Sequence, residues 1–389
     1  MKVIEIDCRS IVNRMQDGFF AMRYLPFRLT INIYRGCSHG CVYCYAACTH
    51  FYMKSSPNLF SNEIFVKTNA DVILDETLRN YEKKGIKSIL IIGNISDTYQ
   101  ALEMKYRLTR KCLETCLRHE YPCYIETKSP LIMKDIDVIE KLNDKGLINI
   151  GMTLTSYDEK FSNLMEPMVA SPKKRIETLG ELASKGIETC LHITPYFPII
   201  TDKYLDEMIR DASKLKIGYV ICAPLELSSY IQGQLFSRLK ENRDYSFLVD
   251  KYAELYLKEG RRLGARITTS QKLHYELEKR MRVLCDKYGI GFWSFTNPQF
   301  HSARIGKAYR WRYPIVQDYW CAIKEKGEMC MTDALQLAKK FNVDNKYLKA
   351  LERYWQSGEL FKGITGMIGE KTDSGIVYRF VDNLDLDCE

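Results

Sequence analysis

"RGCSHGCVYCYAAC", residues 35–48, places four cysteines within fourteen positions, directly after an apolar stretch. A disulfide knot, a zinc site or an iron–sulfur cluster would each call for thiols this close together. Disulfide frameworks belong to oxidising compartments. Residues 1–7 are mixed in character and lack the apolar core of a signal peptide. The longest apolar runs, such as 88–93, are strand-sized, far below the ~20 residues of a membrane span. The expectation is therefore a cytoplasmic protein without membrane attachment, in which thiols stay reduced. Fourteen cysteines in that setting argue against a disulfide scaffold. The scattered ones (Cys8, Cys112, Cys116, Cys123, Cys190, Cys285) read as small buried apolar residues. Zinc sites typically use two separated pairs, whereas Cys37, Cys41 and Cys44 form C-x3-C-x2-C on one loop with no second pair. An electron-transfer cluster takes four protein thiolates, and Cys48 is a candidate fourth. The alternative is three cysteines that leave one iron open, as a cluster that binds substrate requires. Gly36 and Gly40 allow the loop to wrap closely around such a group.

The 389 residues are 46% apolar and 27% charged, an ordinary globular composition with room for a sizeable core. The net charge of +8 is concentrated: residues 258–314 carry thirteen Lys and Arg against four acids, so the remainder is close to neutral. A basic excess confined to one segment suggests an acidic partner there.

From about residue 27 the chain alternates strand-like and helix-like stretches. Residues 29–34, 88–93, 122–128, 147–155, 187–194 and 218–223 read as short apolar strands. Helical patterns at 71–84, 104–119, 135–145, 172–185 and 203–215 lie between them, three ending on a helix-stop glycine (Gly85, Gly146, Gly186). Repeated βαβ units imply a parallel sheet. In 147–155 the apolar Ile148, Ile150, Met152 and Leu154 share one face, while Asn149, Gly151, Thr153 and Thr155 share the other. A doubly wound sheet buries both faces under helices and rarely alternates in this way. The expected fold is α/β, a partial (β/α)6 TIM-type barrel with a polar lumen, a C-terminal helical extension and a small winged-helix-like module. The expected division is an N-terminal segment 1–24, the barrel 25–240, a basic helical extension 241–323 and the module 324–389. In the last, two helices around a turn at 342–345 precede the strand "GIVYRFVD".

With these elements in place, the chain resembles the radical S-adenosylmethionine (SAM) superfamily, whose C-x3-C-x2-C signature has an aromatic residue before the last cysteine. Cys37, Cys41, Tyr43 and Cys44 match it. "SDTYQALEMKYRLTR", "ETKSPLIMKDIDVI", "MEPMVASPKKRIETLGELASKGI" and "TPYFPIITD" extend the resemblance to the spore photoproduct lyase-like branch, over roughly residues 25–223. It implies a 4Fe-4S cluster on Cys37, Cys41 and Cys44, with SAM on the open iron and an external electron donor of flavodoxin or ferredoxin type. An electron from the cluster then breaks the C5′–S bond and gives a 5′-deoxyadenosyl radical. It also implies that Lys128 pairs with the SAM carboxylate, that Asn94 and Ser96 lie by its amino group, and that Tyr43 lies against adenine. Thr153 and Thr155 would hold the ribose, and Tyr45 would relay hydrogen. In the matching pattern Cys48 is a bystander.

Each residue has a plainer reading. A strand-end lysine is usually solvated, yet Lys128 sits in "ETKS" facing the lumen. Thr153 and Thr155 also read as polar filler, and His192 as a satisfied core histidine. The branch's hydrogen-donating cysteine should follow the second strand, where this chain has "GNISD", with Asn94 and Ile95. "HSARIGKAYRWRYP" interleaves Arg304, Lys307, Arg310 and Arg312 with Tyr309, Trp311 and Tyr313, a pattern that suits phosphates and stacked bases. It also fits a solvated basic face. Three readings follow: radical SAM chemistry on a nucleic acid or nucleotide-like substrate, the same chemistry on a peptide, protein or metabolite, or a nucleic-acid-binding iron–sulfur sensor.

Overall fold

β-branched and leucine-rich runs become strands wherever both neighbours can cover them. The structure, a computed structural model, describes residues 1–14, 29–294, 298–303, 307, 315–341, 343, 345–361, 367–373 and 375–381. Strands β1 (Lys2–Ile6) and β2 (Val12–Arg14) precede β3 (Leu29–Ile31) and β4 (Tyr34–Arg35). There follow β5 (Glu63–Lys67), β6 (Leu90–Ile92), β7 (Cys123–Thr127), β8 (Ile148–Thr153), β9 (Thr189–Tyr196) and β10 (Tyr219–Pro224). The six expected barrel strands are β3 and β6 to β10, and a seventh, β14 (Gly291–Trp293), pairs in parallel with β10. Before it, β11 (Leu227–Ser228), β12 (Arg261–Leu263) and β13 (Arg266–Thr268) make a small antiparallel sheet.

The main sheet runs β14-β10-β9-β8-β7-β6-β3-β2. Its parallel strands follow chain order without reversal, so every right-handed crossover turns the same way and the helices gather on one face. Those helices are α1 (Ala70–Lys83), α2 (Leu108–Arg118), α3 (Ile136–Asp144), α4 (Pro172–Ser184) and α5 (Leu205–Lys214). The sheet is a partial, open barrel: β3 and β14 do not pair with each other. The helical pattern expected over 104–119 is broken at Arg107, whose φ is 51°, into a single turn and α2.

Ile148, Ile150, Met152 and Leu154 face the helices, in one core with α1 to α5. The opposite face carries a correction to the expected polar lumen. Its lower half is an apolar plug of Ile89, Ile91, Tyr124, Cys190, Tyr219 and Trp293. Side chains fill a barrel this narrow. Asn149 is buried near the start of β8, while Glu126, Lys128, Thr153 and His192 gather toward the carboxyl ends of the strands.

Helices α6 (Ser229–Lys240) and α7 (Gln271–Tyr288) follow β10. After α6 the chain is α-helical over Leu248–Tyr252, widens into one turn at Ala253–Lys258 and passes into β12. Beyond it, α8 (Val316–Lys326), α9 (Met331–Lys339) and α10 (Asn345–Gln356) pack with the antiparallel sheet of β15 (Glu328–Met329), β16 (Met367–Thr372) and β17 (Gly375–Phe380). They share a separate core centred on Trp355, whose ring lies 4.8 Å from Tyr378 and 5.6 Å from Phe361. Among the described residues no helix is long and apolar enough to cross a membrane. Arg304, Arg310 and Arg312 lie outside the described residues.

Candidate active site

β4 ends at Arg35, and the next residue turns the chain into the cysteine loop. Gly36 has φ +93°, and a Cβ there would stand 2.5 Å from the Glu63 carbonyl, so only glycine fits. The loop is held from three sides. The Phe60 carbonyl accepts from Cys37 N (2.9 Å). Buried Gln100 accepts from Ser38 N (2.9 Å) and donates to the Gly36 carbonyl (3.1 Å). The Met165 carbonyl accepts from Val42 N (2.9 Å), while Met168 N donates to the His39 carbonyl (3.3 Å). His39 Nδ1 lies 3.4 Å from the Asp97 carboxylate, which also accepts from Thr127 Oγ1 (2.7 Å) and Lys128 N (2.7 Å).

Cys37, Cys41 and Cys44 line one cavity of about 440 Å³, closed on its other side by Asn58, Phe60 and the Tyr230 end of α6. Cys48 is not part of that wall. Burial pushes the Cys37 thiol up to about 12, with Asp97 adding to it. Burial likewise holds Cys41 well above the usual thiol range and raises Cys44. Cys37 is buried and Cys41 and Cys44 are half-buried, and three thiols close enough to repel one another's charge ionise together only beside a compensating cation. A sulfur-only donor set is one that iron–sulfur clusters use. The residues present therefore fit such a cluster.

Lys128, just past β7, faces the same loop. Burial would lower its affinity for a proton, but Cys41, Glu166, Asp97 and Cys44 outweigh it and keep the ammonium charged. Its Nζ stands 5.9 Å from the Tyr43 ring centroid. Tyr43 is buried, with its ring edge on Phe197 at 5.4 Å and its hydroxyl bonded to Glu166. Glu166 in turn pairs with fully buried Arg175 (2.6 Å), which donates to the Thr153 carbonyl (2.9 Å). Burial would raise Glu166, but Arg175 and then Lys128 keep it ionised. Thr153 is thus tied to Tyr43 through this pair. Ser96 Oγ and Thr155 Oγ1 are buried and have no hydrogen-bond partner among the described residues, which fits a polar ligand between them and solvent.

Tyr45 donates to the Asn94 carbonyl (2.5 Å). Its surface is 54% exposed, yet desolvation by surrounding protein, followed by the Glu126 charge, raises its phenol above the ordinary value. A side chain that solvent reaches but that sits deep among protein atoms lies on the wall of a chamber. Glu126 behaves alike: burial lifts its carboxyl to about 7, against the pull of Lys128 and with a push from Asp97. Its Oε1 stands 3.5 Å from His192 Nδ1, and His192 Nε2 bonds the Tyr124 hydroxyl. Burial and Lys128 hold that imidazole neutral, down at about 3, so His192 is a satisfied histidine, as expected. Gly151 makes the room, because a Cβ there would lie 2.2 Å from the Tyr124 hydroxyl.

Residues 31–212 match the family model of the radical SAM superfamily. The match spans a little under half of the chain and supports a radical SAM enzyme; that superfamily implies a 4Fe-4S cluster and SAM. An uncharacterized protein of Mycobacterium tuberculosis is 28% identical over 255 residues, 65% of this chain and 73% of that protein. One from Methanocaldococcus jannaschii is 27% identical over 231 residues, 59% and 78% of the two chains. A solved spore photoproduct lyase superposes with TM-score 0.58 at 16% identity, covering 75% of this chain and 81% of that one. A second, with bound SAM and dinucleoside spore photoproduct, gives 0.57 at 16% over the same shares. At that identity the likeness is one of fold.

In the radical SAM domain the loop clamp of Gln100 and Asp97, and the Glu166–Arg175 pair behind Tyr43, were not singled out from sequence. Their partners lie up to 123 positions away. The signal was their presence in "SDTYQ" and "MEPMVASPKKR".

Proposed function

We propose that the protein binds a 4Fe-4S cluster through Cys37, Cys41 and Cys44 and SAM beside it, and abstracts hydrogen from a nucleic-acid or nucleotide-like substrate. The observation that carries this reading is that three thiols line one cavity while the charged Lys128 lies close enough to Cys41 and Cys44 to feel them, at the carboxyl ends of the strands. When bound, the pair supplies an electron and a sulfonium C5′–S bond, hence a primary carbon radical. The chain does the rest. Lys128 offers a cation to the carboxylate of SAM, and Asn94 and Ser96 lie where its amino group would be held. Tyr43, fixed by Glu166 and Phe197, offers a ring to the adenine, and Thr153 and Thr155 offer hydroxyls to the ribose. Tyr45 stands on the chamber wall, where it can hand hydrogen to a substrate. In this reading 25–240 carries the catalytic groups of the barrel, the basic extension 241–323 adds its seventh parallel strand β14, and 324–389 is a winged-helix-like module, with residues 1–24 ahead of them.

The basic segment supports the substrate class, together with the dinucleoside held by a solved protein of the same fold. One observation favours a peptide, protein or metabolite instead. The Lys307 stem packs over Gly146, a residue just ahead of β8, at the end of the barrel away from the cysteine loop. The test is SAM cleavage by reduced enzyme with and without DNA or RNA. Nucleic acid should raise 5′-deoxyadenosine formation several-fold, less so at high salt. No stimulation would favour the second reading, and no cleavage at all would favour a sensor.

A further inference from the structure

The proposed chemistry needs an electron delivered from outside the chain, so some surface must bring a donor close to the cysteine cavity. The stretch that follows the last cluster cysteine has the right character. From Arg35 to Asn62 there is no aspartate or glutamate, while Arg35 and Lys54 are cationic. Within it, Phe51 is 67% exposed, Tyr52 81% and Leu59 43%. Three large apolar side chains left open on one short segment are unusual for a surface that meets only water.

Their position ties them to the cavity. Phe51 and Tyr52 ride on the tight helix Tyr45–Met53, which starts at the residue after Cys44. At a rise of about 2 Å per residue they stand within about 16 Å of that cysteine along the helix. Leu59 sits beside the cavity, because its neighbours Asn58 and Phe60 line it while Leu59 itself is exposed. Cations flank the patch. The Arg35 guanidinium lies 5.9 Å from the Tyr52 ring centroid, Lys54 caps the helix, and Arg238 of α6 stands at the cavity wall. The acids nearby are Glu63, bonded to Lys2 at 3.2 Å, and Glu241, which accepts from Ser237 at 2.9 Å.

We propose that Phe51, Tyr52 and Leu59, ringed by Arg35 and Lys54, form the docking surface for a small acidic one-electron donor protein of flavodoxin type. The inference rests on the proposed function. The apolar centre supplies contact area, and the cationic ring steers an acidic partner and excludes basic ones. In the transfer, the reduced flavin loses one electron and the oxidised cluster gains it. No bond is made or broken in the chain.

The experiment uses full-length reconstituted protein and purified flavodoxin. Calorimetry should show binding that weakens as salt rises. The double variant Phe51→Ser with Tyr52→Ser should weaken binding at least tenfold, and Lys54→Glu several-fold with a flatter salt dependence. Both variants should keep the iron content and the dithionite-driven SAM cleavage of the parent, and lose at least tenfold of the flavodoxin-driven cleavage. Flavodoxin binding as tight in the variants as in the parent overturns the assignment. So does equal loss with dithionite, which would place these residues inside the cluster site. Salt-sensitive capture of an oligonucleotide, lost in the same variants while flavodoxin binding is unchanged, would give the face to nucleic acid and also overturn it. Because calorimetry needs no SAM chemistry, a parent protein that binds flavodoxin but never cleaves SAM would count against the proposed function alone.

Discussion

Lys128 holds its proton more tightly than a free lysine because Cys41, Glu166, Asp97 and Cys44 surround it with potential negative charge, against the opposing effect of burial. A charged partner for a carboxylate in such a site contributes on the order of 1–3 kcal/mol. Lys128→Ala should therefore weaken SAM binding by roughly ten- to a hundred-fold, measured by equilibrium dialysis, while iron loading stays intact. Glu126 makes a prediction in pH. Its carboxyl is held at about 7, above an ordinary value of 4.5, so the folded protein binds that proton more tightly than the unfolded chain does. Stability from this group is full below about 4.5, falls as pH rises toward 7 and levels off above it. Burial sets that value, with Lys128 pulling it down and Asp97 pushing it up, while His192 and Tyr45 stand near the carboxyl. Glu126→Gln should flatten the trend between pH 5 and 8, by on the order of 1 kcal/mol once solvent screening is allowed for. Thermal melts across that range would show it, and an unchanged slope would mean that the carboxyl titrates normally. At this scale the sequence revealed residue types well and partners poorly. Lys128 was legible from "ETKS", whereas the Glu126–His192–Tyr124 chain spans three strands and depends on the missing Cβ of Gly151.

The cysteine loop is an element without regular structure, so its shape comes from its clamps. Gln100 satisfies two backbone groups at once, one on each side of Cys37. Gln100→Ala leaves both unpaired in a buried place, a loss of about 1–3 kcal/mol each. Iron content after reconstitution should fall well below that of the parent. Cys48→Ala should instead load iron normally, since Cys48 is outside the cavity wall. The reverse outcome would make Cys48 a ligand. Strands and crossover helices were readable because apolar alternation and helix-stop glycines are local signals. The seventh strand, β14, was not, because "GFW" is too short to show a period. The break at Arg107 was hidden for a related reason: a good helix pattern continues on both sides of it. The apolar plug is not legible from any one stretch because it takes one or two residues from each of five strands.

On the scale of the whole molecule, a single-direction βα winding brings the cysteine loop, Lys128 and the chamber groups to one end of the barrel. The same arrangement bears on dimer repair. Where a hydrogen-donating thiol was expected after β6, Ile95 packs beside Cys44 and Tyr230 next to Cys37. Cys190 is fully buried in the apolar plug below. Dinucleotide spore photoproduct given to the reduced enzyme with SAM should therefore yield little clean thymidylyl-thymidine. Repair over many turnovers would show that another donor, Tyr45 first among them, does that work. The central claim is that the Cys37–Cys41–Cys44 cavity holds a cluster that cleaves SAM, and the most direct measurement is 5′-deoxyadenosine released by the anaerobically reconstituted, dithionite-reduced protein. The account predicts 5′-deoxyadenosine from the parent protein and none from Cys44→Ala. A parent protein that loads about four irons and releases no 5′-deoxyadenosine would contradict it.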